Sequence, residues 1–168
     1  MDEIKKILAP TDLSELSAAG IRYALCLADA IEAEVTIYHV VDYHTLTRYG
    51  QRSTASAVFQ PPDHIFLERY RTALSRFLKD YVPDPPARVE VQEKVELGAP
   101  DKKIVEYAET EGIDLIVMST HGKTGPQPFV GSVAEKVART ATCPVLSIRP
   151  RRHKTAEKSQ DLSGVSIG

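Results

Sequence analysis

The segment Ile113–Ser119, with the sequence IDLIVMS, is a continuous apolar run between two polar stretches. A run of this kind is typical of a parallel strand covered on both faces, whereas a half-exposed strand alternates apolar and polar residues. Parallel strands are joined by crossover connections, which usually contain a helix. The segment therefore predicts a sheet with helices packed on both sides, and the rest of the chain has to supply those helices.

Strand and helix patterns alternate along the chain, as such a sheet requires. Apolar or β-branched residues predict further strands at Ile4–Pro10, Glu34–Asp42, Arg88–Leu97 and Cys143–Ile148. Apolar residues at helical spacing predict helices at Ala18–Ala28, Asp63–Tyr81, Pro100–Glu111 and Ser132–Ala141. The predicted fold class is α/β: an open five-stranded parallel sheet with helices on both faces, which is a Rossmann-like architecture.

The last predicted helix has a local start signal. Ser132 followed by Glu135 has the spacing of a capping box, so we expect the helix to begin at Ser132. The residues expected to face the core from this helix are Val133, Val137, Ala138 and Ala141.

Chain length and charge indicate one globular domain with a basic tail. The 168 residues suffice for one core, which we assign to residues 1–150 with a long loop at 44–62 and a basic tail at 151–168. The net charge of -2 argues against a nucleic-acid binder with a broad basic surface.

Because no apolar run has the length of a membrane span, we expect a cytoplasmic protein without a membrane partner. Cys26 and Cys143 are interpreted as small buried hydrophobic residues.

Ligands of open α/β sheets bind beyond the carboxyl ends of the strands, near the point where the strand order reverses. This rule selects Pro10–Ser14, His39–Asp42 and Ser119–Ser132. The last segment, STHGKTGPQPFVGS, places glycines, a lysine and hydroxyl groups before a helix, which is typical of an anion-binding turn. Pro126 and Pro128 each remove a backbone N–H that such a turn would use. The pattern alone leaves open whether the loop holds phosphate.

Four separated segments of the chain resemble the universal stress protein family in order and spacing. They are ILAPTDLSE, HVVD, GAPDKKIVEYAETEGIDLIVMSTHGKTG and GSVAEKVARTATCPVLSIRP, and together they extend over about residues 2–150. The resemblance implies a fold of the adenine nucleotide alpha hydrolase-like type and a homodimer paired through the fifth strand. In some members it also implies binding of ATP with a divalent ion such as Mg²⁺ or Mn²⁺.

The ATP-binding members carry a motif of glycine, two residues, glycine, nine residues, and glycine followed by serine or threonine. In this chain Gly122 matches the second glycine, and Gly131 with Ser132 matches the last pair. Ser119 occupies the first glycine position, and only eight residues separate Gly122 from Gly131. We expect the Ser119 Cβ to lie close to an approaching phosphate or ribose, and the shorter loop to change which N–H groups point inward.

The resemblance implies a set of nucleotide contacts and no catalytic residue. Asp12 is expected to accept a hydrogen bond from a ribose hydroxyl or the adenine amine. The alternative is that Asp12 or Ser14 only caps the first helix. His121 could donate to a phosphate. The implied contacts are Pro10, Thr11, Asp12, Val40, Val41, Met118, Ser119, His121, Gly122, Gly131, Ser132 and Val133.

Two functions remain open from the sequence. In the first, the chain is a cytoplasmic stress-response protein that binds ATP as a regulatory ligand, with at most slow hydrolysis because no nucleophile or general base is evident. In the second, it is a dimeric protein-interaction module that has lost the nucleotide and binds an unknown protein partner. An ATP-splitting enzyme on an α/β scaffold would need catalytic groups that the sequence does not supply.

Overall fold

A computed structural model of the chain describes residues 3–42, 63–121 and 131–150. The predicted loop at 44–62, Gly122 with Pro126 and Pro128, and the predicted tail at 151–168 lie outside the described residues. The strands are β1 (Lys6–Thr11), β2 (Glu34–Val41), β3 (Val91–Leu97), β4 (Leu115–Ser119) and β5 (Val145–Ile148). The helices are α1 (Ala18–Ile31), α2 (Asp63–Tyr81), α3 (Pro100–Thr110) and α4 (Ser132–Thr140).

The strands form one parallel sheet in the order β3-β2-β1-β4-β5. The chain builds outward from β1 in one direction through β2 and β3, and in the other direction through β4 and β5. The strand order therefore reverses between β1 and β4. This confirms the predicted open five-stranded α/β fold, and it places the reversal point beside the carboxyl ends of these two central strands.

Helices cover both faces of the sheet. On one face, Ile7 and Ala9 of β1 pack with the buried sides of α1 and α2. On the other face, Leu8 of β1 and Ile116 of β4 pack with the buried sides of α3 and α4. All five residues of β4 are buried, as its continuous apolar sequence predicts. Within the described residues, no helix is long and apolar enough to cross a membrane.

Three details differ from the sequence predictions. Helix α4 begins at Ser132 as expected, but its N-cap residue is Gly131 with no side-chain cap, so the expected capping box does not form, and Ala134 and Val137 are its buried residues. The expected core residue Ala138 is exposed, because the side of α4 that packs against the sheet is centred between Ala134 and Val137. Cys26 is also exposed, on the solvent side of α1, so the prediction that both cysteines are buried is wrong. Finally, β3 begins at Val91 rather than Arg88.

Candidate functional site

A cleft of about 190 Å³ lies at the carboxyl ends of the strands and takes in the point where the strand order reverses. It brings together residues from β1, β2 and β4 with the N-terminal ends of α3 and α4. Most of the contacts implied by the sequence line this cleft. Those that line it are Pro10, Thr11, Asp12, Val40, Met118, Ser119, His121, Gly131, Ser132 and Val133.

The β1–α1 loop holds Asp12 in an ordered turn. The Asp12 Oδ1 accepts hydrogen bonds from the Ser14 backbone N–H at 3.0 Å and from the Ser14 hydroxyl at 2.6 Å. Between them Leu13 has a φ of 62°, in the left-handed region that side chains other than glycine seldom adopt. Ser17 precedes α1 and makes no side-chain cap, whereas the Ser14 hydroxyl accepts a hydrogen bond from the Ser17 N–H at 3.2 Å and so caps the turn that leads into the helix. The capping alternative therefore applies to Ser14 and not to Asp12, whose carboxylate orders the loop at the edge of the cleft.

Strand β2 presents Val40 to the cleft and Val41 to the opposite face. The Val41 side chain is buried in the core with α1 and α2, and its carbonyl accepts a hydrogen bond from the Gly98 N–H at 3.0 Å. Because strand side chains alternate between faces, Tyr38 lies on the same side as Val40 and also lines the cleft. Val41 thus does not line the cleft, whereas Tyr38, which sequence reasoning missed, does.

Tyr38 is a fully buried aromatic side chain that lines the cleft. Its ring stacks on Tyr107 of α3 with centroids 4.7 Å apart. Burial raises the pKa of the Tyr38 hydroxyl, and the nearby carboxylate of Glu96 raises it further. The hydroxyl lies near that carboxylate but makes no hydrogen bond of normal geometry with any described residue. Tyr38 therefore contributes a neutral, apolar surface to the cleft.

The Ser119 hydroxyl forms hydrogen bonds with the start of α1. It accepts a hydrogen bond from the Gly20 N–H at 3.0 Å and donates to the Leu16 carbonyl at 2.9 Å, both in the region where α1 begins. Met118, the preceding residue, lies in the core on the α3 and α4 side. The Ser119 hydroxyl is thus directed at α1, while Ser119 also lines the cleft.

The N-terminal end of α4 opens onto the cleft. Gly131 is in an extended conformation, and its N–H donates to the Thr120 carbonyl at 2.7 Å, which fixes where the helix begins. The N–H groups of the first helical turn have no partners within the helix and carry the positive end of its dipole. Ser132 adds an exposed hydroxyl at the same place. This end of the cleft can accept an anion.

His121 is oriented by its neighbour. Its Nδ1 and the Thr120 hydroxyl are 2.7 Å apart, and the Thr120 N–H donates to the Ile148 carbonyl of β5 at 2.9 Å. Thr120 is thereby fixed at the end of the sheet, and it holds the imidazole at the rim of the cleft. No group of three His, Cys, Asp or Glu residues in the described ranges could hold a metal ion.

Comparison with known proteins gives one consistent result. The family model described as the universal stress protein family matches residues 3–149. The chain belongs to the universal stress protein family. Universal stress protein MJ0531 of Methanocaldococcus jannaschii is 34% identical over 149 residues, a match that covers 86% of this chain and 82% of the relative. Universal stress protein YxiE of Bacillus subtilis is 29% identical over 150 residues, covering 86% of this chain and 98% of the relative.

Solved structures of the family share the fold. MJ0577 of Methanocaldococcus jannaschii superposes with a TM-score of 0.65 at 28% identity, covering 90% of this chain and 100% of that one. UspA from Lactobacillus plantarum gives a TM-score of 0.65 at 25% identity, covering 89% and 100%. A universal stress protein solved in complex with cAMP is 21% identical with a TM-score of 0.57 and the same coverage, which is a likeness of fold alone.

A second, larger depression of about 460 Å³ carries none of the family's motif residues. It is lined by Asp29 and Glu32 at the end of α1, by Glu34 at the start of β2, and by Arg88 and Glu90 before β3. It therefore lies at the amino ends of the strands, where ligands of open α/β sheets do not ordinarily bind. The smaller cleft is therefore the candidate functional site of this universal stress protein.

Several cleft residues had no signal in the sequence. Pro100 and Ile104 enter it from the first turns of α3, and Ala134 enters it from α4. Their inclusion depends on how the helices pack across the sheet. Tyr38 could have been found from its position two residues before Val40 on the same strand face.

Proposed function

We propose that this universal stress protein acts in the cytoplasm and binds an adenine nucleotide, with ATP as a regulatory ligand, in the cleft at the carboxyl ends of β1 and β4. The observation that carries the proposal is the convergence of three separate chain segments on one cleft at the reversal point of the sheet. The segments are the loop that follows β1, the end of β2, and the region from the end of β4 to the start of α4.

The two ends of the cleft suit the two ends of a nucleotide. Val40, Ile104 and Met118 give an apolar lining on which an adenine ring could pack, and Asp12 lies at its edge. At the other end, the N-terminus of α4 offers backbone N–H groups and the positive end of a helix dipole to phosphate oxygens. A Mg²⁺ or Mn²⁺ ion would be held chiefly by those phosphate oxygens, as is common for Mg²⁺ in nucleotide sites.

The side chains in the cleft favour a role in which the bound nucleotide is a regulatory ligand and not a substrate for hydrolysis. Among the described residues of the cleft, the side chains of a type that serves as a general base are Asp12 and His121. The Asp12 carboxylate is engaged by Ser14, and the His121 Nδ1 by Thr120. Side chains engaged in this way are less available to activate an attacking water. We expect at most slow hydrolysis of the bound nucleotide.

One experiment tests the proposal directly. Freshly purified protein is denatured, and the released nucleotides are identified by chromatography; ATP with magnesium is then titrated into the emptied protein by calorimetry. Co-purified adenine nucleotide, or saturable binding with one site per chain, supports the proposal. Absence of both would contradict it and favour the alternative function below.

The substitution Asp12→Asn is expected to weaken ATP binding at the adenosine end of the cleft. Asparagine keeps an oxygen that can accept the two hydrogen bonds from Ser14 but loses the charge that strengthens a bond from a ribose hydroxyl or an adenine amine. Loss of a charged hydrogen bond of about 1.5–2 kcal/mol lowers the affinity for ATP about 10- to 30-fold. Asp84→Asn, an exposed position with a φ of 58° that asparagine tolerates, is the matched control. Equal affinities of the two variants, measured by calorimetry, would remove Asp12 from the site.

The alternative is a universal stress protein that acts as a dimeric protein-interaction module without nucleotide. The observation that favours it is the size of the cleft, since about 190 Å³ is below the roughly 300–1,000 Å³ usual for small-molecule sites. The shortened spacing between Gly122 and Gly131 and the two prolines between them point the same way.

We also propose that the protein is a homodimer paired through β5. Val145, Leu146 and Ile148 are only partly buried, and β5 is an edge strand of the sheet, so its apolar residues and unpaired backbone need cover. Sedimentation equilibrium at micromolar protein concentration is expected to give twice the mass of one chain. A single-chain mass throughout the accessible concentration range would refute pairing through β5.

A further inference from the structure

The β1–α1 loop, which carries Asp12, is tied to the strands on both sides of β1. From β2, the His39 Nδ1–H donates to the Thr11 carbonyl at 2.8 Å; a carbonyl only accepts, so this nitrogen carries the proton. From β4, the Ser119 hydroxyl bonds the Gly20 N–H and the Leu16 carbonyl. His39 and Ser119 are both buried, so water does not compete freely for these hydrogen bonds.

Hydrogen bonds inside the loop transmit these two attachments to Asp12. The Thr11 hydroxyl bonds the Ser17 hydroxyl at 2.7 Å and accepts from the Leu13 N–H at 3.1 Å. The Ser17 N–H in turn donates to the Ser14 carbonyl at 3.0 Å, and Ser14 holds the Asp12 carboxylate. Leu13 keeps its positive φ within this network. Such a conformation persists where the surroundings over-determine it.

We infer that Ser119 is a positioning residue that fixes the β1–α1 loop, and with it Asp12, in the geometry of the cleft. The Gly20 N–H lies in the first turn of α1, where it also bonds the Ser17 carbonyl at 3.1 Å, and the Leu16 carbonyl lies just before the helix, so Ser119 attaches to the chain on both sides of the helix start. Its partners lie about 100 residues away in sequence, so it joins two parts of the cleft that the chain does not connect locally. The consequence for the ligand rests on the proposed function.

This role predicts the opposite effect of Ser119→Gly on nucleotide affinity from the one that the family motif suggests. If the serine only obstructed a ligand where other members have glycine, Ser119→Gly would raise the affinity for adenine nucleotides. As a positioning residue, Ser119 holds the loop in the binding geometry in advance, so its removal makes the ligand order the loop at the expense of affinity. The two interpretations therefore predict opposite signs for one substitution.

The first measurement is the rate of amide hydrogen exchange, monitored by NMR on the full chain without ligand. In Ser119→Ala and Ser119→Gly, exchange at Leu13, Ser14 and Gly20 is expected to be about fivefold faster, the size expected for loss of one buried hydrogen bond. Ser75→Ala is the matched control, because its hydroxyl bonds the Glu93 carboxylate of β3 at 2.7 Å in an exposed position and does not bond the β1–α1 loop. Unchanged exchange at these amides in both Ser119 variants would overturn the inference.

The second measurement separates the two ends of the site. Affinities for adenosine and for ATP are expected to fall together, about fivefold, in the Ser119 variants, because both ligands use the Asp12 end. Competition by inorganic tripolyphosphate, which probes only the α4 end, is expected to stay at the wild-type level. A uniform loss for all three ligands would indicate general destabilisation and overturn the positioning role.

The outcomes also separate this inference from the proposed function. If wild-type protein binds neither adenosine nor ATP, the proposed function fails and the expected effect of Ser119 on affinity fails with it, while the exchange rates still decide whether Ser119 fixes the loop. If wild-type protein binds both ligands and Ser119→Gly binds them more tightly, the proposed function stands and only the inference about Ser119 falls.

Discussion

Replacing Gly131 by aspartate is expected to lower the affinity for ATP about 100-fold while leaving the protein folded. Gly131 is the N-cap residue of α4 and lines the cleft, with φ of -60° and ψ of 148°, which any residue can adopt. A carboxylate there stands close to where the phosphates are expected. Two unit charges about 5 Å apart at an effective dielectric constant of about 20 repel by about 3 kcal/mol, which corresponds to about 100-fold in affinity.

The fold should tolerate this substitution, so a loss of affinity can be assigned to the site. A Cβ at Gly131 would lie 3.1 Å from the Thr120 carbonyl oxygen, a tight contact that a small shift relieves. Aspartate is also among the preferred N-cap residues, and its charge suits the positive end of the α4 dipole. The cost of the contact and the gain from capping oppose one another, and we expect a thermal unfolding midpoint close to that of the wild type.

Gly131→Asn is the control that separates charge from size. Asparagine has nearly the same shape and the same capping ability, so it should lose only the part of the affinity that bulk removes, about tenfold or less. The difference between the two variants should shrink as salt is added, since ions screen exposed charges. Calorimetric titrations with ATP at low and high salt measure both effects. Equal losses in the two variants would mean that phosphate does not approach Gly131.

Local sequence patterns predicted the fold well where an element carries its own signals. Helix α2 spans Asp63–Tyr81 as expected, because Leu67, Leu74 and Phe77 recur at helical spacing and the prolines after Val82 prevent its continuation. The buried strand β4 was equally predictable from its continuous apolar sequence. Both cases depend only on residues that are close together in the chain.

The errors arose where a distant contact decides the local structure. The N-cap of α4 was assigned to Ser132 instead of Gly131 because Gly131 is held by the Thr120 carbonyl, a contact across 11 positions that a capping-box pattern cannot report. The candidate site shows the same limit. The motif located Ser119, but the side of the strand that its hydroxyl faces is set by the packing of α1 against β4. Pro100 and Ile104 were missed because the position of α3 is decided by packing across the sheet.

Gly20 is the clearest case of a residue whose role only the packing reveals. In sequence it looks like a weak point in α1, because glycine inside a helix is destabilising by about 1 kcal/mol relative to alanine. In the structure, a Cβ at this position would lie 2.8 Å from the Ser119 nitrogen and 3.1 Å from the Met118 carbonyl carbon. Both are backbone atoms, so no change of rotamer can relieve the contact. Gly20 lets α1 approach the end of β4 closely enough for the Ser119 hydrogen bonds to form.

Gly20→Ala is therefore expected to destabilise the protein, against the sign that helix propensity alone predicts. Overpacking of about 3 kcal/mol, less about 1 kcal/mol of improved propensity, leaves a net loss of about 2 kcal/mol. For a chain of this size the unfolding midpoint should fall by about 4–8 °C, and Gly20→Val should lower it further. Ala19→Gly, one position earlier in α1, is the control and should cost about 1 kcal/mol through propensity alone. If urea unfolding followed by circular dichroism finds Gly20→Ala more stable than the wild type, the close approach of α1 to β4 is wrong, and the attachment of the Asp12 loop through Ser119 is wrong with it.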